Sequence, residues 1–213
     1  MRRKSLILLL AFIFIISMFP IGSAVADGEL VYLISVEGTI EKGLTEMLKK
    51  AFMEAESQGA DLIVLEIDSP GGYVNAAEDI EKILQQQKIP ITSYVTGGAL
   101  SAGALIAFSA DDLIMAPGTT IGAAEPRVGN ERADEKIVSA WAGRMAARAA
   151  AIAEKNGRDP DRAAELAKGM VDADFEIPGV IGAGKLLTLT DRQAFDLGLI
   201  KSLFVLLIFN VNL

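Results

Sequence analysis

The chain has 213 residues with no histidine and no cysteine, and its 20 lysines and arginines are outnumbered by 28 aspartates and glutamates. These absences exclude a Ser-His-Asp triad, a cysteine nucleophile, a histidine-held metal and a disulfide framework. The acidic balance, stronger still once Arg2, Arg3 and Lys4 are set aside, disfavours a nucleic-acid or anionic-membrane surface. No metal or cofactor is expected.

Three basic residues, an apolar run from Leu6 to Phe19 and the small-residue stretch Ala24-Val25-Ala26 follow the order of an export signal, with cleavage after Ala26. The apolar run is shorter than the roughly 20 residues that usually span a bilayer, and retention as an anchor is the competing reading. Both place the body outside the cytoplasm, on the membrane's outer face. Residues 27–203 fit one domain of ordinary size.

Leu30 to Val36 is a short β-branched run closed by Glu37-Gly38 and reads as a buried strand. From Glu41 the apolar positions Leu44, Met47, Leu48, Ala51, Phe52 and Ala55 recur at helical spacing, and Gly59 ends that helix. Asp61 to Asp68 is almost continuously apolar, as a two-faced parallel strand is, and leads into Ser69-Pro70-Gly71-Gly72. A helix with Val74, Ala77, Ile80, Ile83 and Leu84 on one face follows, broken at Pro90. Ile91 to Val95 is the third strand, Ser101 to Ala110 an apolar helix, and Leu113 to Ala116 a fourth strand closed by Pro117-Gly118. Strand and helix alternate three times, which predicts a layered α/β domain with a mainly parallel sheet and ligands beyond the carboxyl ends of its strands.

Thr119 to Asp134 is a long connection rich in glycine, proline and charge. An alanine-rich helix then runs from about Glu135 to Asn156, and Asp159-Pro160-Asp161 starts another that continues through Lys168. Val180 to Gly184 is too glycine-rich for a core strand. Leu186 to Leu189 is a plausible one, and Thr190-Asp191 caps a short helix ending near Gly198. The last ten residues, Phe204 to Leu213, are apolar but too few to cross a bilayer, and their role is open.

Chemistry concentrates at Gly97-Gly98-Ala99-Leu100-Ser101-Ala102-Gly103-Ala104, where one hydroxyl sits among residues too small to cover it, at a strand-to-helix corner. Ser101 is the candidate nucleophile, with the backbone N–H of Ala102 pointing toward any oxyanion that forms. The alternative is a small-residue run that lets a helix pack closely. Gly71-Gly72, at the end of the neighbouring strand, offers further N–H groups with no side chain in the way, although Pro-Gly-Gly is commonly just a turn. Without histidine the base must be another group, and a lysine amine made neutral by burial or a neighbouring cation can serve.

Asp68-Ser69-Pro70-Gly71-Gly72, the Ser101-Ala102-Gly103 corner and Met115-Ala116-Pro117-Gly118-Thr119-Thr120-Ile121-Gly122-Ala123 together resemble the ClpP/crotonase superfamily, over about Leu30 to Ile200. More narrowly they are similar to the NfeD-type membrane-associated serine proteases, relatives of signal peptide peptidase A. The resemblance implies a ClpP-like spiral of βαβ units with a mainly parallel sheet and flanking helices, a Ser-Lys dyad, and a homo-oligomer, dimer or larger. In that family the lysine opens the helix after the long loop, and the matching position is Lys136. Lys155 and Lys168 are weaker candidates, because cations are expected at helix ends. The resemblance also implies cleavage of a hydrophobic segment in a membrane protein of the stomatin, prohibitin or flotillin type. Longer members continue into transmembrane helices and a small β-barrel, so the sequence is read as a short-form member or a piece of a longer one. The rival readings are a catalytically silent scaffold that binds a membrane partner, and acyl-CoA chemistry of the crotonase kind. An export signal argues against the latter, since that cofactor is cytoplasmic.

Overall fold

The computed structural model describes residues 30–201; the expected export signal and the apolar run from Phe204 to Leu213 lie outside them. In chain order the elements are β1 (Val31–Ile40), α1 (Lys42–Gln58), β2 (Leu62–Gly72), α2 (Val74–Gln86), β3 (Ile91–Leu100), α3 (Ala102–Phe108), β4 (Asp112–Met115), β5 (Thr120–Gly122), β6 (Arg127–Val128), β7 (Glu131–Arg132), α4 (Glu135–Lys155), α5 (Pro160–Val171), β8 (Thr188–Thr190) and α6 (Asp191–Asp196). Local chemistry accounts for several helix ends. Gly59 closes α1 in the left-handed conformation at φ 72°. The Asp159 carboxylate accepts from the N–H groups of Asp161 and Arg162, with Pro160 in the first turn of α5. Thr190 and Gln193 form a reciprocal capping box on α6.

The principal sheet runs β1-β2-β3-β5-β8, with β4 also on β3, and every pairing is parallel except β5 with β8. β3 is its axis. Its first half, Thr92 to Val95, pairs with β4, and its second half, Gly98 to Leu100, pairs with β5. The chain therefore switches neighbours halfway along β3, and the upper half of the sheet is where the candidate site forms. Behind it α3 is buried at all seven positions, packed against β2 and β3. Phe52 and Leu48 of α1, Ile80 of α2 and Leu105, Ile106 and Phe108 of α3 fill the core around Ile63, Leu65 and Ile67.

β2 and β3 extend further than the sequence pattern predicts. Ser69-Pro70-Gly71-Gly72 and Gly97 to Leu100 are strand, not turn. Register shifts between Glu37 and Thr39 and between Ile67 and Ser69 let the strands resume pairing after a kink. The buried Ser69 hydroxyl stitches that kink by donating to the Gly38 carbonyl (2.6 Å) while accepting from the Gly71 N–H (3.1 Å). The predicted connection from Thr119 to Asp134 contains β5 and the small β6–β7 hairpin. β5 is only three residues long, and its partners lie far off in sequence, so no local periodicity announces it.

Candidate active site

Ser101 joins β3 to α3 at φ 53° and ψ −123°. Among the described residues only Ser101 and Ala123 have positive φ without being glycine. Such a conformation costs on the order of 1–3 kcal/mol and persists where the surroundings enforce it. Here the Ser101 N–H donates to the Gly122 carbonyl (3.0 Å) and the Ser101 carbonyl accepts from the Ala104 N–H (3.0 Å). Gly122, at φ 134°, leaves no room for a side chain, since a Cβ would lie 2.3 Å from the Leu187 carbonyl oxygen. The Thr119-to-Ala123 motif thus supplies the strand that pins the serine in its strained corner.

Gly71 backs the same residue. At φ 105° it lies so near that a Cβ would fall 2.5 Å from the Ser101 Cβ and 3.0 Å from its Oγ. Its N–H is already given to Ser69 Oγ, so Gly71 supplies close approach and no free donor. Gly72 approaches Ile40 just as tightly, a Cβ there falling 2.2 Å from the Ile40 carbonyl oxygen. At Gly97 a Cβ would meet the Asp68 carboxylate at 2.3 Å, and that carboxylate accepts from the Gly98 N–H (3.0 Å). The glycines of both corners are therefore points of close approach, to the Ile40 backbone at Gly72 and to the side chains of Ser101 and Asp68 at Gly71 and Gly97.

Ser101 opens into a cavity of about 480 Å³ whose wall includes Thr39, Gly72, Tyr73, Val74, Ala102, Ala124, Pro126 and Trp141, with Glu125 and Arg127 as its charged members. The buried Glu125 carboxylate accepts from Arg127 (3.0 Å) and lies 3.5 Å from Arg132. Arg132 reaches on to Asp174 (2.5 Å), Asp172 (2.8 Å) and Glu135 (3.2 Å). The hydrogen bond to Asp174, with the neighbouring carboxylates, raises its guanidinium pKa above the ordinary value. This network ties the β6–β7 hairpin to the start of α4 and to the 172–174 turn. Nothing in the sequence pattern singles it out beyond a run of charge at Glu131 to Glu135.

The structure brings Ser101, Gly71, Gly72 and Ala102 together. Lys136 is exposed in the first turn of α4, its N–H capped by the Asp134 carboxylate (2.9 Å), and it is not in the cavity wall. Lys155 donates to the Asp111 carbonyl (3.2 Å) and Lys168 lies 5.9 Å from the Phe175 ring centre. A second cavity, about 410 Å³ between Leu84, Phe108, Arg148 and Lys155, contains Ser109, whose hydroxyl is spent on the Leu105 carbonyl (2.6 Å). Sequence reasoning missed Trp141 as a wall residue. Its one signal is apolar spacing with Val138 and Met145, which reads as core.

Comparison with known proteins gives the fold and the family. The fold is that of the ClpP-like serine proteases: ClpP1 from Listeria monocytogenes, 21% identical, superimposes with a TM-score of 0.58 over 81% of this chain and 91% of that one. The family model for the NfeD1b N-terminal domain matches residues 30–204, and the chain belongs to that family. Membrane protein NfeD1b of Bacillus subtilis is 40% identical over 190 residues, 87% of this chain and 41% of that protein. Membrane-bound protease PH1510 of Pyrococcus horikoshii is 33% identical over 130 residues, 60% of this chain and 28% of that protein. The chain thus spans less than half the length of these curated relatives. Solved structures of a membrane-bound stomatin-specific protease, 1510-N, match at 29% identity. A serine-to-alanine variant superimposes with a TM-score of 0.64, covering 81% of this chain and 78% of that one. A lysine-to-alanine variant bound to a substrate peptide gives 0.65, covering 82% and 75%. These relatives are named membrane proteins; among the described residues of this chain no helix is long and apolar enough to cross a membrane.

Proposed function

We propose that the chain is the serine endopeptidase domain of an exported, membrane-associated protein, with residues 27–203 forming the domain and residues 1–26 its export signal or anchor. The observation that carries this reading is the strained Ser101 at the β3–α3 junction, backed by Gly71 and open to a cavity. Ser101 Oγ attacks a peptide carbonyl, and Lys136 as a neutral amine takes the hydroxyl proton and returns it to the leaving amine. The N–H groups of Gly72 and Ala102 hold the oxyanion. Two features support those donors: the Tyr73 N–H is turned to Ile40 (2.8 Å), so strand alternation turns the Gly72 N–H toward β3, and Ala102 is the first residue of α3, where N–H groups lack helical partners. Lys136 is exposed and is not among the residues of the cavity wall, so this mechanism requires its amine to be turned toward Ser101 when substrate binds. The relatives' names support a peptide of a stomatin-like membrane protein as substrate; we take that peptide to be apolar and the working form to be a homo-oligomer.

The test is reaction with a serine-directed fluorophosphonate together with turnover of an apolar peptide. Ser101→Ala is expected to abolish both, and Lys136→Ala to reduce turnover by about 10²-fold or more with the fold intact by circular dichroism. Unchanged turnover in either variant removes that residue from the mechanism. The exposed position of Lys136 favours one second reading, a silent scaffold that binds a membrane partner. It predicts no labelling of the wild-type protein and unchanged partner binding by Ser101→Ala.

A further inference from the structure

Tyr73 is the one exposed aromatic residue among those described: it is 64% exposed, while every other described ring is buried or half-buried. It is also part of the wall of the Ser101 cavity, between Gly72 and Val74 of the same wall. Its backbone is fully engaged, the N–H donating to the Ile40 carbonyl (2.8 Å) and the carbonyl accepting from the Ala77 N–H (3.0 Å). What stands open to solvent is therefore the side chain, carried on a fixed backbone. The fold gains little from it. Tyr73 occupies the N-cap of α2, where Ser, Thr, Asp or Asn would accept from the first helical N–H groups, and its side chain makes no such bond. An uncovered ring also leaves apolar area in water. A residue that serves neither the cap nor the core, in the wall of a cavity holding a strained serine, breaks local rules in the way functional positions do.

We propose that Tyr73 is a specificity-determining residue: its ring packs against the apolar side chain of a substrate residue flanking the scissile bond. This rests on reading the Ser101 cavity as a peptidase site. The Gly72 N–H is the proposed donor to the scissile carbonyl, so a ring one residue further on is within a side chain's length of the residues on either side of that bond. Exposed rings supply large contact area at small entropic cost and gain when a ligand removes them from water. Val74, Ala102, Ala124 and Pro126 make the adjoining wall apolar, and its Glu125 and Arg127 are paired with each other. A charged side chain entering there would lose its water without compensation, whereas an aliphatic one would not.

The test uses the full chain and an end-capped Leu-rich peptide flanked by lysines, with the cleaved bond located by mass spectrometry. The Leu on each side of that bond is then exchanged for Ala in turn. At one of the two positions the wild-type protein should prefer Leu by about tenfold in kcat/KM. Tyr73→Phe should keep that preference, and Tyr73→Ser should bring it to within about twofold of unity, with the loss in KM. Because serine supplies the missing cap, the urea midpoint of Tyr73→Ser should equal or exceed that of the wild type. In the Ser101→Ala background, which binds without turnover, Tyr73→Ser should weaken the calorimetric Kd of the Leu peptide by about tenfold. A preference that is absent from the wild type or survives in Tyr73→Ser overturns the assignment, and a lowered midpoint gives the ring to the fold and overturns it too. If Ser101 reacts with the fluorophosphonate and the peptide is cleaved while ratios and Kd ignore Tyr73, the inference alone fails. If the serine is inert while Kd responds as expected, the peptidase reading fails and the ring stands as a peptide contact.

Discussion

At the scale of single residues the site depends on what is missing at Gly71. The hydroxyl at Ser101 reaches the cavity only because the neighbouring strand has no Cβ at that point and can adopt φ 105° there. Gly71→Ala puts a methyl group 2.5 Å from the Ser101 Cβ and forces an alanine into a backbone region it disfavours. We expect about 1–3 kcal/mol of lost stability in urea denaturation. Fluorophosphonate reaction at Ser101 should slow by about 10²-fold, since displacement of a reacting atom by roughly an ångström has that effect. Wild-type labelling rates in Gly71→Ala would show that the close approach does not position the serine. Ser69 acts one step back, holding the kink through its two hydrogen bonds without reaching the cavity.

Among the elements the pairing that matters is α2 with α4. α2 starts two residues after Gly72, a proposed oxyanion donor, and Lys136, the proposed base, is in the first turn of α4. They are joined by charge: Glu81, only 4% exposed, lies 3.3 Å from Arg148 and 3.5 Å from Arg144, and Arg144 also meets Glu78. Removing a buried carboxylate from such a pair costs about 3–5 kcal/mol when both partners are buried. Arg144 and Arg148 are 37% and 35% exposed, so water recovers part of that, and we expect about 1–2 kcal/mol for Glu81→Ala. The denaturant midpoint measures it; a midpoint within error of wild type would mean that solvent already satisfies the arginines. Helix existence and ends were legible in the sequence because caps and 3.6-residue spacing are local, as at Gly59, Pro160 and Thr190. The clasp was not, because Glu81 and Arg148 are 67 residues apart and each reads as an ordinary charge on a helix.

Over the whole molecule, burial shapes the response to alkali. The Tyr94 phenol is raised above its ordinary pKa of 10.0, first by burial and then by the carboxylate of Glu66, its partner across β2 and β3. Tyr32 on β1 is raised as well, by burial and by its hydrogen bond with Glu54. In both cases the folded state keeps the proton more firmly than the unfolded chain, so the unfolded chain ionises first as pH climbs. Their contribution is fully present below the unfolded pKa and is lost as pH rises through the folded values. The melting temperature should therefore be steady near neutrality and fall between about pH 9 and 11, less steeply in Tyr94→Phe. Identical slopes in the two proteins would show that Tyr94 plays no part. The sheet order puts this behaviour at β1, β2 and β3, the strands whose upper ends form the site.

The sequence by itself determined the alternation of strands and helices, the small-residue corner at Ser101, the glycines at 71 and 72, and the exclusion of histidine and cysteine chemistry. All of these are written in contiguous residues or in simple counts. Only the tertiary structure decided that Gly122 pins the serine, that Gly71 contributes absence of bulk and not a donor, that Trp141 lines the cavity, and that Lys136 stands outside its wall. Those facts depend on which distant backbones approach within a few ångströms, and neither spacing nor composition encodes such distances.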